Sequence, residues 1–289
     1  MYKKYDLKTL EKEYSPSSCV EDINVYINQY IEFSEKAKDI ANANSSMISD
    51  LKYGTNPDEK LDLYLPTTGN KKKLQIYIHG GYWQALSKEE SSFAATNFQE
   101  HGCYFAALDY SLAPNASLTE IVAQVREAIA FLFRSAANFG YDADEIYLSG
   151  SSAGAHLAMM MLQTQWSTIS SNLPLNLVKG VCAVSGIYEL SPIQQTYINE
   201  PLQLSVEEVE QLSPIRHKNI NDSPVILAFG DNETEEFRIQ TEAMQARLVS
   251  QSIETQCKKI HERNHFNVIL DLSVPKSWLF LKVAEQMKI

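Results

Sequence analysis

The stretch Ile146–Met160, IYLSGSSAGAHLAMM, leads from a β-forming run into a helix-forming run through five small residues, Gly-Ser-Ser-Ala-Gly. These five fit the frame G-x-S-x-G, with Ser152 at its centre and Gly150 and Gly154 on either side. The frame carries chemistry only in one context. The serine must sit on a sharp turn between a strand and a helix, so that its hydroxyl stands above a sheet, and the glycines must let backbone pass close to backbone. The same turn places the next amide, that of Ala153, at a helix N-terminus, where it can stabilise a developing oxyanion. Matches to five residues arise often by chance, and the competing reading is a small-residue turn whose serines only hydrogen-bond. The context favours Ser152 as a nucleophile and Ser151 as a structural neighbour.

The residues upstream supply a second requirement of acyl chemistry. IHGGYW, Ile78–Trp83, closes an earlier β-rich run about 70 residues before the serine turn. An oxyanion needs a second donor from the loop after such a strand. Gly80 and Gly81 allow the amides of Gly81 and Tyr82 to turn toward the nucleophile, while His79 and Trp83 suit fixing the loop.

Downstream, an acid and then a histidine should follow. The run SPVILAF ends in GDNETEEF, which offers Asp231, Glu233, Glu235 and Glu236. Glu235 and Glu236 fall in a first helical turn, where negative charge is stabilised in any case. Glu233 has room to turn back toward a histidine, and Asp231 is the alternative acid. KKIHERNHF offers His261 and His265. His265 is preferred, since it lies further past the strand, and its expected role is to take and return the serine proton. HERNH is also a literal H-E-x-x-H, a zinc pattern that needs both histidines on one helical face plus a third ligand. The residues before it are strand-like and no histidine follows, so neither metal nor cofactor is expected.

Around these motifs short apolar runs alternate with helical patterns. LDLYLP, KLQIYI, CYFAALDY, EIYLSG, VKGVCAVSG, SPVILAFG and IETQCKKI read as strands. A helix is expected from Ser87 to Gly102 and another after the capping-box pattern Ser117-x-x-Glu120, with Ile121, Val125, Ala128 and Leu132 on one stripe. Strands separated by helices imply crossovers and a mostly parallel, twisted sheet with helices on both faces. Residues 1–50, helical in pattern, and 188–217, rich in proline, are expected to cover the carboxyl ends of the strands, where such sheets bind ligands. The whole chain reads as a single α/β domain.

Composition bounds the partners. The chain has 289 residues, 25 basic against 36 acidic, for a net charge of −11. That balance argues against nucleic acid or an anionic membrane surface, since both select basic faces. Cys19, Cys103, Cys182 and Cys257 form no C-x-x-C pair, and Cys103 and Cys182 lie in apolar runs as small core residues. MYKKYDLKTLEKEYS has charge without an apolar core, so no signal peptide is expected there. The expected compartment is the cytoplasm.

With these residues assembled, the sequence resembles the arylformamidase (kynurenine formamidase)-like branch of the α/β-hydrolases, which borders the hormone-sensitive-lipase-like carboxylesterases. YGTNPDEKLDLYLP, IHGGYW, LDYSLAPNASL, GSSAGAHLA, SGIYELSP, FGDNETEEF and NHFNV carry the resemblance from Tyr53 onward. It implies an α/β-hydrolase fold with an N-terminal helical cap segment. It also implies Ser152 as nucleophile, His265 as base, and an acid two residues ahead of Glu235-Glu236, which is Glu233. The family's oxyanion loop falls on Gly80, Gly81 and Tyr82. The chain departs from the family pattern at Ser151, where histidine is frequent, at Ser111, where arginine is usual, and in having Glu rather than Asp as acid.

The expected function is a serine hydrolase that cleaves a small ester or amide through an acyl-enzyme. Tyr82, Trp83 and Phe266 would form aromatic walls, which suits an aryl formamide such as N-formylkynurenine; core or loop packing is their other reading. A general short-chain carboxylesterase is the alternative, with a zinc hydrolase and a non-catalytic binding protein behind it. The expected partner is a small-molecule substrate, with a homodimer left open.

Overall fold

Apolar runs of five to ten residues become strands here because their alternate side chains bury on opposite faces of one sheet. The computed structural model describes residues 5–218 and 221–289. Its strands are β1 (Met47–Lys52), β2 (Lys60–Tyr64), β3 (Leu74–Ile78), β4 (Tyr104–Leu108), β5 (Ile146–Ser151), β6 (Val178–Val184), β7 (Val225–Asn232) and β8 (Thr255–Asn264). They form one sheet in the order β1-β2-β4-β3-β5-β6-β7-β8. The pairs β1–β2 and β2–β4 are antiparallel, and every pair from β4 to β8 is parallel.

The helices are α1 (Leu7–Glu13), α2 (Asn24–Ala43), α3 (Ala95–Glu100), α4 (Leu118–Phe139), α5 (Ala153–Leu162), α6 (Asn199–Leu202), α7 (Val206–Leu212), α8 (Glu235–Ser250) and α9 (Trp278–Met287). Ile76, Ile78 and Leu148 belong to a core shared with α4, α5 and α8. Their strand neighbours Tyr77 and Tyr147 belong to a second core shared with α2, α3 and α9. The sheet is therefore covered on both faces, and β3, β4 and β5 are buried along their whole length. In α4 the Ser117–Glu120 capping box is formed and Ile121, Val125, Ala128 and Leu132 are all buried.

Three local expectations are corrected. β1 has no counterpart in the strand reading: it is a half-exposed edge strand with a register shift, so it lacks an apolar alternation. The helix expected from Ser87 to Gly102 splits into a short 3-10 turn, Lys88–Glu90, and α3. Lys88 is buried and bonded to Asp62 and Glu89, so the turn is held by charge pairing rather than by a helical stripe. β7 continues through Asn232 and β8 through Asn264, because the two strands stay paired beyond their apolar stretch. The closing helix, α9, begins at Trp278 with Ser277 as its cap.

Cys103 and Cys182 are buried, and all four cysteines are free. Among the described residues no helix is long and apolar enough to cross a membrane. Residues 1–4 of the expected N-terminal segment lie outside the described residues.

Candidate active site

β5 ends at Ser151 and α5 starts at Ala153, so Ser152 alone makes the turn. It does so at φ 56°, ψ −118°, a left-handed conformation that a non-glycine residue adopts only when its surroundings hold it there. The Ser152 amide donates to Val184 O at 2.9 Å, tying the turn to β6. A Cβ on Gly154 would stand 2.0 Å from the carbonyl oxygen of Ile78, and one on Gly80 would stand 2.8 Å from that of Ser151. The 79–83 loop thus lies directly against the serine turn, at a distance only glycine allows.

That loop is itself strained: Gly81, Tyr82 and Trp83 have φ of 89°, 52° and 59° in succession. The amides of Gly81, Tyr82 and Ala153 donate to no acceptor among the described residues. His79 stacks on Tyr110 with ring centres 4.1 Å apart, and the Tyr110 hydroxyl donates to His79 O at 2.8 Å. These contacts anchor the base of the loop.

Glu233 follows β7 directly, and His265 follows β8 directly. Glu233 Oε2 is 2.9 Å from His265 Nδ1. Its other oxygen, Oε1, accepts from the Gly230 amide at 2.5 Å and from the Ser185 hydroxyl at 2.6 Å. The two side chains are 1% and 5% exposed. A buried carboxylate on Nδ1 selects the tautomer protonated there and leaves Nε2 as an acceptor. Phe237 packs on the His265 ring at 4.3 Å between centres and keeps it from turning.

Ser152, His265, Gly81, Tyr82 and Phe266 all line one cavity of about 480 Å³. Pro16, Ile23, Ile27 and Tyr30 from the N-terminal segment, and Tyr197 from the 188–217 segment, complete it. Burial raises the pKa of Tyr82 and of Tyr30 well above the ordinary phenol value, so both remain neutral hydrogen-bonding groups. A hollow of about 640 Å³ opens at the opposite ends of the strands, between Asp144, Lys179 and Gln286. It has no serine or histidine on its wall.

The N-terminal segment is bonded to the loop it covers. Tyr82 donates its hydroxyl to Tyr14 O at 2.5 Å. Tyr14 donates to Glu236 at 3.1 Å and accepts from Gln240 at 2.7 Å. The Ser15 and Tyr197 hydroxyls meet at 2.8 Å across the cavity, and Tyr30 donates to Phe266 O.

Two expected residues lie elsewhere. Trp83 is not on the cavity wall: it is fully buried, edge-on to His156 at 5.0 Å between ring centres, in the core beneath α5. Its positive φ turns the side chain inward, which sequence alone does not show. Asp231 Oδ2 is instead 2.5 Å from Nδ1 of His261, whose side chain is 86% exposed. His261 lies within β8, so the helix that H-E-x-x-H requires is not formed.

Several lining or supporting residues escaped the sequence reading. Ser185 supports Glu233 from the tip of β6, with nothing in VSG to signal it. Tyr14, Tyr30, Tyr77 and Tyr197 come from segments remote in sequence, and only their segments, not their side chains, were singled out.

Comparison with known proteins covers nearly the whole chain. The BD-FAE family model matches residues 61–248. A kynurenine formamidase of Danio rerio is 34% identical over 96% of this chain and 95% of its own. An isoprenylcysteine alpha-carbonyl methylesterase of Arabidopsis thaliana is 29% identical over 67% of this chain and 51% of its own. A crystal structure from Silicibacter sp., described provisionally as a thioesterase, superposes with a TM-score of 0.82 at 27% identity, covering 94% of this chain and 97% of that one.

Proposed function

This chain belongs to the BD-FAE family of α/β-hydrolases, and from that premise we propose that it cleaves a small aryl formamide, of which N-formylkynurenine is the reference member. The reaction class is the hydrolysis of an ester or amide by a serine hydrolase. The observation that carries the assignment of residues is one cavity with Ser152 on its strained turn and His265, held by buried Glu233, on the same wall.

In this reading Ser152 Oγ attacks the formyl carbon while His265 Nε2 takes its proton. Glu233 stabilises the imidazolium that forms and does not itself become protonated. The amides of Gly81, Tyr82 and Ala153, free in the structure, receive the oxyanion of the tetrahedral intermediate. One such donor contributes on the order of 10²–10³ in rate. His265 then protonates the departing arylamine nitrogen. Water, deprotonated by the same histidine, releases formate from the acyl-enzyme. The strained backbone at Ser152, Tyr82 and Trp83 holds the hydroxyl and amides in place before substrate arrives.

Residues 1–50 and 188–217 act as the cap, since they supply Ile23, Ile27, Tyr30 and Tyr197 to the wall. The acidic balance of the chain supports a small-molecule substrate rather than nucleic acid. A second reading, a short-chain carboxylesterase, is favoured by the methylesterase relative.

The test is turnover of N-formylkynurenine beside p-nitrophenyl acetate, with fluorophosphonate labelling, in wild type and Ser152→Ala. Loss of both activities and of labelling in the variant is expected. Full labelling of Ser152→Ala would sink the assignment, and turnover of the ester alone would favour the carboxylesterase.

A further inference from the structure

Among the described residues the cavity around Ser152 has no countercharge. None of the described residues that line it is Asp, Glu, Lys or Arg; His265 is its single basic group, and Glu233 already occupies one nitrogen of that ring. The chain segments that supply most of the wall, 15–30 and 77–86, contain no lysine or arginine. They bring instead Glu21 and Asp22, both exposed, directly before the lining residue Ile23. Two nearby cations are engaged elsewhere: Lys88 is bonded to Asp62 at 3.0 Å, and Arg263, two residues before His265, to Asp271 at 2.8 Å.

The polar groups the wall does offer are hydroxyls. Tyr77 is 3% exposed and Ser151 is 5% exposed, and both line the cavity. Neither hydroxyl has a hydrogen-bond partner among the described residues, and neither is sealed from solvent: both open onto the cavity. Tyr77 pairs in register with Ser149, so Tyr77 and Ser151 share one face of the sheet. Two hydroxyls that face a cavity without a protein partner can each donate to or accept from a polar group of a ligand.

We propose that this cavity takes an aryl substrate with no charged group directly on its ring, whose neutral ring substituent, a carbonyl or hydroxyl, is met by Tyr77 and Ser151, and that it disfavours a carboxylate attached directly to the ring. The proposal rests on this cavity being the substrate site. A carboxylate brought here leaves water for a wall without a cation, a costly transfer unless the charge is paired. A neutral carbonyl gains a donor and loses little hydration.

The experiment compares kcat/KM for N-formylanthranilate and 2-formamidobenzamide, which share ring, formamide and ortho carbonyl and differ in charge. The neutral amide is expected to exceed the carboxylate by tenfold or more. Equal values, or a preference for the carboxylate, overturn the proposal. A second arm replaces Ala85, exposed at the cavity rim, with arginine. Ala85→Arg is expected to move the amide-to-carboxylate ratio at least threefold toward the carboxylate, and an unmoved ratio counts against the missing cation as the cause. If neither formamide is cleaved, the formamide reading fails by itself. The same charge comparison is then made with 4-acetoxybenzamide and 4-acetoxybenzoate, and equal turnover of those two esters overturns the proposal independently.

Discussion

Asp231 and His261 hydrogen-bond to each other at 2.5 Å on the surface, while Glu233 and His265, two and four residues further along, hydrogen-bond at 2.9 Å in the interior. Both pairs join the end of β7 to the end of β8, and a strand's two-residue alternation would make either carboxylate plausible. The inner pair has a buried carboxylate with two further donors and a histidine on the cavity wall. The outer pair faces water, and His261 beside Asp231 holds that carboxyl below its usual range.

Glu233→Gln should therefore reduce kcat by on the order of 10²–10⁴, since an amide facing Nδ1 disturbs the tautomer and withdraws the charge that stabilises the imidazolium. Asp231→Asn should change kcat less than threefold. Steady-state kinetics on one aryl substrate compare the two, and a larger loss in Asp231→Asn would reverse the assignment of the acid.

Trp83 fills the core rather than the cavity, so its truncation should act on stability. Trp83→Ala should destabilise the fold by about 3–5 kcal/mol, the usual cost of emptying a large aromatic site. Trp83→Phe keeps most of the volume, and Trp83 Nε1 has no partner to lose. Its KM should stay within twofold of wild type while its denaturation midpoint falls. A KM change with unchanged stability would return Trp83 to the substrate wall.

The Tyr82 hydroxyl joins the strained loop to the N-terminal segment at Tyr14. Tyr82→Phe removes that bond and leaves the Tyr14 carbonyl without it, at a cost of roughly 0.5–1.5 kcal/mol. A lower melting temperature and a several-fold fall in kcat are expected, because the amide of Tyr82 then has a less fixed direction. Unchanged kcat and melting temperature together would show that the N-terminal segment does not support the loop.

Burial lowers the pKa of His156 to about 4, from about 6.5 when unfolded. Its ring, carried by α5, is fully buried and interacts with Leu212 O at 2.7 Å. Between those pH values the unfolded chain binds a proton that the folded chain refuses. Stability should thus be full above pH 6.5, fall as pH drops through 6.5, and stop falling from this cause near pH 4, for a total on the order of 3 kcal/mol. Urea unfolding from pH 7 to 4.5 measures the slope. His156→Gln should show a flatter one; an identical slope in the variant would assign the acid sensitivity to other groups.

The parts of the site readable in advance were those made by adjacent residues. Ser152, with Ala153 after it, follows from a strand, a turn and a helix that occupy fifteen consecutive residues, and the Gly80-Gly81 pair announces a loop able to approach it. The parts that misled were edges and turns. β1 and the outer half of β8 are edge structure with polar, half-exposed side chains, so no apolar alternation marks them. Trp83 and Tyr82 are neighbours in sequence, but successive positive φ angles send one ring into the core and the other to the cavity.

The amino-acid sequence by itself determined the parallel sheet, the serine turn and the order in which the serine, the carboxylates and the histidines follow along the chain, because these depend on local periodicity and on glycine at positions of close approach. Only the tertiary structure decided which carboxylate meets which histidine, which aromatic rings form the wall, and that no described residue on the wall carries a countercharge. Those outcomes depend on the meeting of strand ends and cap segments up to 236 residues apart (Tyr14 beside Gln240, Tyr30 beside Phe266), and no local pattern encodes the distance between them.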